Sequence, residues 1–341
     1  MDSLSQIVLG AATGELMAGR KLGNRALWLG AIGGTIPDLD VFGRFVLSPL
    51  ENLAFHRGIT HSMLFWVIGA VVFGELAWRL SRRGGLDRFQ WWGFWFATFA
   101  THVLLDCFTM YGTQVFQPFA NTRVAWSTIA VADPLYTVPF LVAVVVLSRQ
   151  TVGSRRRRWW HRAGWVWSLA YLSLTVGNKL HVDAVLQESL KDAGLPALRH
   201  VSNPTILNNV LWNATAETAD AFYLTQYSIF DRTPLVWTRL DKDDDWFSAH
   251  QGDPVLGTLQ WFSDGLLYKT RQPTNDGSWQ LSDLRFGSLT GRADSPGDLI
   301  FRFRVQQLPS GELNFLGAEG GPKEGEETNF IPALWRRMKG R

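Results

Sequence analysis

Apolar positions fall in long blocks through the first half of the chain and in short alternations through the second, with the change near residue 180. From Met63 to Ala77 the run carries one charge, Glu75, and is followed by Arg79, Arg82, Arg83 and Arg88. Phe89 to Leu105 has no Asp, Glu, Lys or Arg, opens on Trp91, Trp92 and Trp95, and approaches the ~20 residues a helix needs to cross a bilayer. Ala125 to Ser148 holds only Asp133 as a charge, and Ala163 to Asn178 is uncharged but short. Ser3 to Gly19 carries only Glu15, and Ala26 to Pro37 is uncharged and Gly-rich; both are short and predict half-buried helices packed on the others. Together these blocks predict six helices in or against a membrane.

Basic connections at 20–25, 79–88 and 149–162 predict the cytoplasmic side by the positive-inside rule. Residues 38–57, 109–128 and everything after about 180 then face outward. Beyond 180 the pattern changes. His181–Leu195 predicts an amphipathic helix stopped by Gly194 and Pro196. Phe301, Phe303 and Val305 alternate with Arg302, Arg304 and Gln306, the period of a half-buried strand. Ser263-Asp264-Gly265 between LQWF and LLYK, and Asn275-Asp276-Gly277 before WQLSDLRF, predict hairpin turns. The expected class is α+β: a polytopic helical membrane bundle over 1–180, a connecting helix over 181–199, a smaller β-rich extracytoplasmic domain over 200–320 and a mobile tail over 321–341.

Composition supports a membrane-associated chain. Charged residues make up 18% of the 341, hydrophobic ones 46%, with 17 Trp and 22 Phe, yet mean hydropathy is -0.01, so very apolar stretches are averaged with an ordinary polar part. Disorder and collagen are excluded. The net charge is +3, but the basic residues bunch beside apolar runs, which favours anionic headgroups over nucleic acid. No secretory signal is expected, because the first basic residue is Arg20, after the first apolar run. A single cysteine, Cys107, excludes an intramolecular disulfide and a Cys-based zinc cluster.

Candidate chemistry lies in four segments: Pro37-Asp38-Leu39-Asp40, His56-Arg57-Gly58-Ile59-Thr60-His61-Ser62, His102 with Asp106, and Asp133-Pro134. Each sits at the outward end of its predicted helix. His102 and Asp106, at i and i+4, share one helix face. Thr60 is a plausible N-cap that would put His61 in the first helical turn. Taken singly, a buried His or Asp near a helix end is usually a cap or a satisfied hydrogen-bonding group. Three His and four Asp at one depth point instead to a shared divalent cation. Nitrogen and oxygen donors suit zinc first, with manganese or iron as alternatives, and one or two ions fit the number of donors. Asp38, His56, His61, His102 and Asp106 are expected ligands. Asp40 or Asp133 is the expected general base, with Asp133 also readable as a cap beside Pro134. Arg57 would stabilise developing negative charge or pair with Asp38.

PDLD, HRGITHS and His102 through Asp106, followed by Gly112 and Pro118, resemble the YdjM-like family of inner-membrane-associated proteins read as metal-dependent hydrolases and described as LexA-binding. The resemblance covers residues 1 to about 180. It implies a helical fold akin to zinc-dependent phospholipase C and P1-type nucleases, with Asp38, Asp40, His56, His61, His102 and Asp106 at the metal. The family often has a His near its start where this chain has Gln6, so one coordination position differs. The expected activity is hydrolysis of an ester or phosphoester, with a membrane lipid or lipid-linked phosphoester as substrate and no nucleic acid as partner. The alternative is a non-enzymatic membrane scaffold or sensor whose metal ties helix ends together. Transport is disfavoured because the polar groups cluster at one face.

Overall fold

The computed structural model describes all residues except 82–84, 271–276, 289–297, 322–326 and 341. It divides into two compact units, one comprising Met1–Phe45, Phe55–Val176 and Ile206–Asn208, the other Val46–Ala54, Gly177–Thr205 and Asn209–Arg341.

The first unit opens with α1 (Ser3–Leu22) and α2 (Asn24–Gly33). Asp2 caps α1 by accepting from the Ser5 N–H. Small residues bring the two helices unusually close: a Cβ on Gly10 would stand 2.3 Å from the Gly30 carbonyl oxygen, and one on Gly34 would stand 2.4 Å from that of Gln6. A 3-10 segment, Pro37–Phe45, follows, and after it the chain forms α3 (Pro49–Phe55), most of which belongs to the second unit. A short 3-10 turn, Ile59–His61, then leads to α4 (Met63–Leu80), which Ser62 caps. The N-cap is therefore Ser62 and not Thr60, and His61 lies in the turn before the helix. Helix α5 (Arg88–Cys107) starts from a capping box between Asp87 and Gln90. It packs against α4 where Gly69 and Gly74 admit Phe99 and Trp92. Phe94, Phe99 and Val103 are fully buried in the resulting core. Helix α6 (Pro134–Ser148) is capped by Asp133, with Pro134 in its first turn, and α7 runs unbroken from Arg155 to Asp192.

This architecture overturns the expected polytopic helical membrane bundle, and with it the phospholipase C- and P1 nuclease-like architecture. Among the described residues one helix, α4, is long and apolar enough to cross a membrane, with 18 residues at a mean hydropathy of 1.6. The expectation counted Trp as lipid-facing, whereas α5 carries Trp91, Trp92, Trp95, Thr98, Thr101, His102 and Asp106 and turns much of that length into a protein core. Helix α2 has 10 residues and α6 has 15, too few to span. Helix α7 opens on four arginines. The outward placement of the C-terminal domain rested on counting six spans, so it is withdrawn with them.

The second unit holds two four-stranded antiparallel sheets. The first is β1 (Arg199–Pro204), β2 (Leu211–Glu217), β3 (Ala221–Ser228) and β4 (Thr238–Asp241), in that order. The second is β5 (Leu267–Lys269), β6 (Trp279–Asp283), β7 (Phe301–Gln307) and β8 (Leu313–Gly320). Phe303 and Val305 of β7 are fully buried, as the alternation predicts, but Phe301 is only half-buried and Arg302, expected on the polar face, is buried too. Helix α8 (Asp244–Ala249) follows β4 in the chain, and the segment LQWF beyond it is not a strand. Asp253 and Pro254 start helix α9 (Pro254–Phe262), and Ser263-Asp264-Gly265 is the turn that leaves it. β5 pairs with β6 in register Leu267↔Asp283, while most of the expected Asn275-Asp276-Gly277 turn lies outside the described residues. His181–Leu195 is not a separate helix; its first part continues α7. The stretch read as a mobile tail contains α10 (Glu327–Met338), where Arg337 pairs with Asp231.

Candidate metal centre

Three pieces of local structure bring four side chains together. The Pro37–Phe45 segment presents Asp38, the Ile59–His61 turn presents His61, and one face of α5 presents His102 and Asp106. One donor atom from each lies within 4.8 Å of all the others. The two Nε2 atoms are 3.2 Å apart. His61 Nε2 lies 3.3 Å from Asp38 Oδ1 and 3.4 Å from Asp106 Oδ2. His102 Nε2 lies 3.5 Å and 3.6 Å from the same two oxygens.

These separations fit a small tetrahedral cation. Bonds of about 2.0–2.1 Å in a tetrahedron place ligand atoms about 3.3–3.4 Å apart, close to the five distances above. The donors are also prepared for an ion. His102 Nδ1 faces the Gly34 carbonyl oxygen at 2.6 Å, and His61 Nδ1 faces Thr60 Oγ1 at 3.1 Å and Asp40 Oδ2 at 3.4 Å. Protons held on the Nδ1 atoms leave both Nε2 lone pairs directed at one point, the arrangement second-layer acceptors impose on metal-binding histidines. Asp106 Oδ2 is buried with no hydrogen-bond partner. Leaving such an oxygen unsatisfied costs free energy, and a cation removes that cost.

The other Asp106 oxygen is saturated. Oδ1 accepts from Gln6 Nε2 at 2.9 Å, receives the Met1 amino group, and lies 3.3 Å from Arg57 Nη2. Arg57 Nη1 donates to Thr109 Oγ1 at 3.0 Å, and its guanidinium lies 4.9 Å over the Tyr111 ring. Arg57 adopts φ 56°, the left-handed region that non-glycine residues rarely enter. Its N–H donates to Asp40 Oδ2 at 2.7 Å and its carbonyl accepts from Gln114 at 3.0 Å, which holds it there.

Burial works to raise the pKa of Asp106, but Arg57 and the neighbouring cations hold it well below the usual carboxylate range. Asp38 is pulled down too: burial opposes ionisation, and hydrogen bonds with His102 and His61 outweigh it. For His102, burial lowers the pKa while Asp106 and Asp38 raise it further, to about 9. Cys107, adjacent to Asp106, is buried, and that burial pushes its thiol up to about 12; it is not among the four convergent donors.

The remaining predicted residues lie around the four. Asp40 is a hub: it meets His56 Nδ1 at 2.9 Å through Oδ1, and the Arg57 N–H, Thr60 and His61 through Oδ2. Burial opposes its ionisation, and His56 with His61 outweighs that and lowers its pKa. It braces His61 without joining the four. His56 is also outside the four, with its side chain 29% exposed and its ring edge-on to Tyr111. Arg57 pairs with Asp106 and not with Asp38. Asp133 is occupied elsewhere. It accepts from the Leu135 and Tyr136 N–H groups and from Tyr171 Oη at 2.7 Å, and burial raises its pKa.

Sequence reasoning missed Gly34, Thr60 as a brace for His61, Thr109 and Tyr111. The Gly10, Gly14, Gly30 and Gly34 spacing was a usable signal, because small residues four apart mark a close helix pair. Gln6 holds a ligand in place, since its Nε2 donates to Asp106 and to the His102 carbonyl.

Residues 1–182 match the family described as YdjM inner membrane protein. The chain is also 25% identical over 289 residues to the uncharacterized protein YfhP of Bacillus subtilis (strain 168), covering 76% of this chain and 80% of that protein. That share exceeds what residues 1–182 can supply, so the likeness to YfhP reaches into the β-rich unit. No solved structure matches the chain.

Proposed function

Because this chain belongs to the YdjM inner membrane protein family, we propose that it is a metal-dependent hydrolase at the inner membrane, acting on an ester or phosphoester of a lipid or lipid-linked compound. The observation that carries this reading is the unpartnered Asp106 Oδ2 among three other convergent donors. Asp38, His61, His102 and Asp106 would hold one divalent ion, zinc before manganese or iron. When bound, such an ion supplies Lewis-acid chemistry, polarising an ester or phosphoryl oxygen and favouring ionisation of water near neutral pH.

This chain's own groups divide the rest of the work. Gln6 and Arg57 fix the inner oxygen of Asp106, which aims its other oxygen at the centre. Asp40 locks the His61 tautomer and holds His56 by Nδ1. His56 sits on the accessible side with its second nitrogen left for proton transfer, which makes it a better general acid or base than Asp40, already taken up by four contacts, or Asp133, a helix cap. Arg57 offsets negative charge beside Asp106. Asp38, 21% exposed against 0% for the other three, marks the side from which a substrate would approach.

One observation favours the scaffold reading: four protein donors close a tetrahedron, and structural zinc sites are closed while catalytic ones keep a position open. Metal analysis of the purified protein beside His61→Ala, followed by chelator-sensitive turnover of a chromogenic phosphodiester or ester in lipid-containing micelles, separates the readings. The expected result is about one ion per chain, lost in the variant, with turnover that follows the ion. An ion without turnover leaves the scaffold, and no ion in the parent protein ends both.

A further inference from the structure

The first unit contains a cleft of about 570 Å³ that the metal centre does not use. Leu29 and Ile32 of α2 form one wall, Leu76 and Leu80 of α4 the other, and Trp91 and Trp95 of α5 also line it. Two observations say what it takes. Arg25 is the one charged side chain in the lining, is exposed, and makes no ion pair among the described residues. The cleft thus joins an apolar channel to one uncompensated positive charge. Second, the α4 wall belongs to the one helix among the described residues apolar enough for a bilayer, and Val67, Ile68, Val71 and Val72 of that helix are exposed. The cleft therefore adjoins a surface suited to lipid.

We propose that this cleft binds one acyl chain of an anionic phospholipid, with the lipid's phosphate on Arg25. An uncharged apolar ligand leaves Arg25 without a counter-charge, and a free anion leaves the apolar walls bare. A phospholipid of net negative charge satisfies both ends. The proposal stands apart from the hydrolase reading, because none of the four clustered donors lines the cleft.

The test is native mass spectrometry of the full-length protein, stripped of lipid in neutral detergent and titrated with phosphatidylglycerol or phosphatidylcholine of the same chain length. A saturable one-to-one adduct is expected, stronger with phosphatidylglycerol. Arg25→Ala should weaken the phosphatidylglycerol adduct about fivefold, the worth of one basic residue at an anionic headgroup, and bring it level with phosphatidylcholine. Ala77→Phe, which fills the cleft, should remove both adducts. Metal content and helical circular dichroism serve as folding controls for both variants. The proposal is overturned by an adduct that survives Ala77→Phe in folded protein, by equal binding of the two lipids to the parent protein, by displacement with inorganic phosphate alone, or by a dimer that excludes lipid.

Discussion

Asp106 and Asp133 look alike in the sequence: each is an acidic residue at the end of an apolar helix, and each proves buried. Their surroundings differ in one respect. Both oxygens of Asp133 are taken up inside the protein, by two backbone N–H groups of its own helix and by Tyr171. Asp106 has one oxygen crowded with donors and the other with none. A carboxylate whose accepting capacity is filled by its own chain is a structural part, whereas one left half-empty beside three other donors is a site. Burial pushes the pKa of both upward. At Asp106 the adjacent cations overwhelm that push, and at Asp133 nothing does.

The strongest way to break this comparison is to truncate both residues. Asp106→Ala strips Arg57 of its ion-pair partner within the protein and should destabilise the fold by about 3–5 kcal/mol in denaturant titrations, with loss of the bound ion. Asp133→Ala removes a cap and should cost about 1–2 kcal/mol while retaining the ion. Equal costs, or ion loss in both, would erase the distinction. A finer test removes the brace and not the ligand. Asp40→Asn should weaken metal binding about 10–100-fold and leave Asp133 and its cap untouched; unchanged affinity would mean that Asp40 does not orient His61.

The third test uses pH. Because the folded His102 pKa is raised to about 9, its stabilising contribution in the metal-free protein is complete below the unfolded value of about 6.5 and is lost as pH rises towards 9. Ion binding must displace the same proton, so affinity should climb over that window, with proton release visible in calorimetry across buffers of different ionisation enthalpy. Binding at pH 7 without proton release would contradict this. The smallest effect is expected at the cap: Asp133→Asn keeps an oxygen for the helix N–H groups but turns an amide N–H toward the Tyr171 hydroxyl, and should cost about 1 kcal/mol or less, measured as a shift in the denaturation midpoint.

How much was legible follows from how far apart the cooperating residues lie. His102 and Asp106 were readable as a pair because a helix places i and i+4 on one face. Asp38 and Asp40 were not separable, because in the Pro37–Phe45 segment two residues of spacing send one carboxylate to the centre and the other behind His61. His56 looked as good a ligand as His61 until the turn placed its ring against Tyr111 and its Nδ1 on Asp40. The spans were overcounted because Trp satisfies an apolar tally in a membrane and in a protein core alike. LQWF was misread because the turn after it was taken for a hairpin and the helix start signal before it, Asp253-Pro254, was not read.

The sequence by itself determined the chemical inventory and its local geometry: three imidazoles and a handful of carboxylates, a helix pair at i and i+4, glycines spaced for close packing, and alternating strands beyond residue 200. Those follow from steric rules acting over a few residues. Only the tertiary structure decided which carboxylate keeps an empty oxygen and which histidine nitrogens point at each other, because those properties depend on Gly34, Gln6, Arg57 and Tyr171, brought in from elsewhere in the chain. Whether a donor is filled or left open is a fact about its surroundings, which no local pattern records.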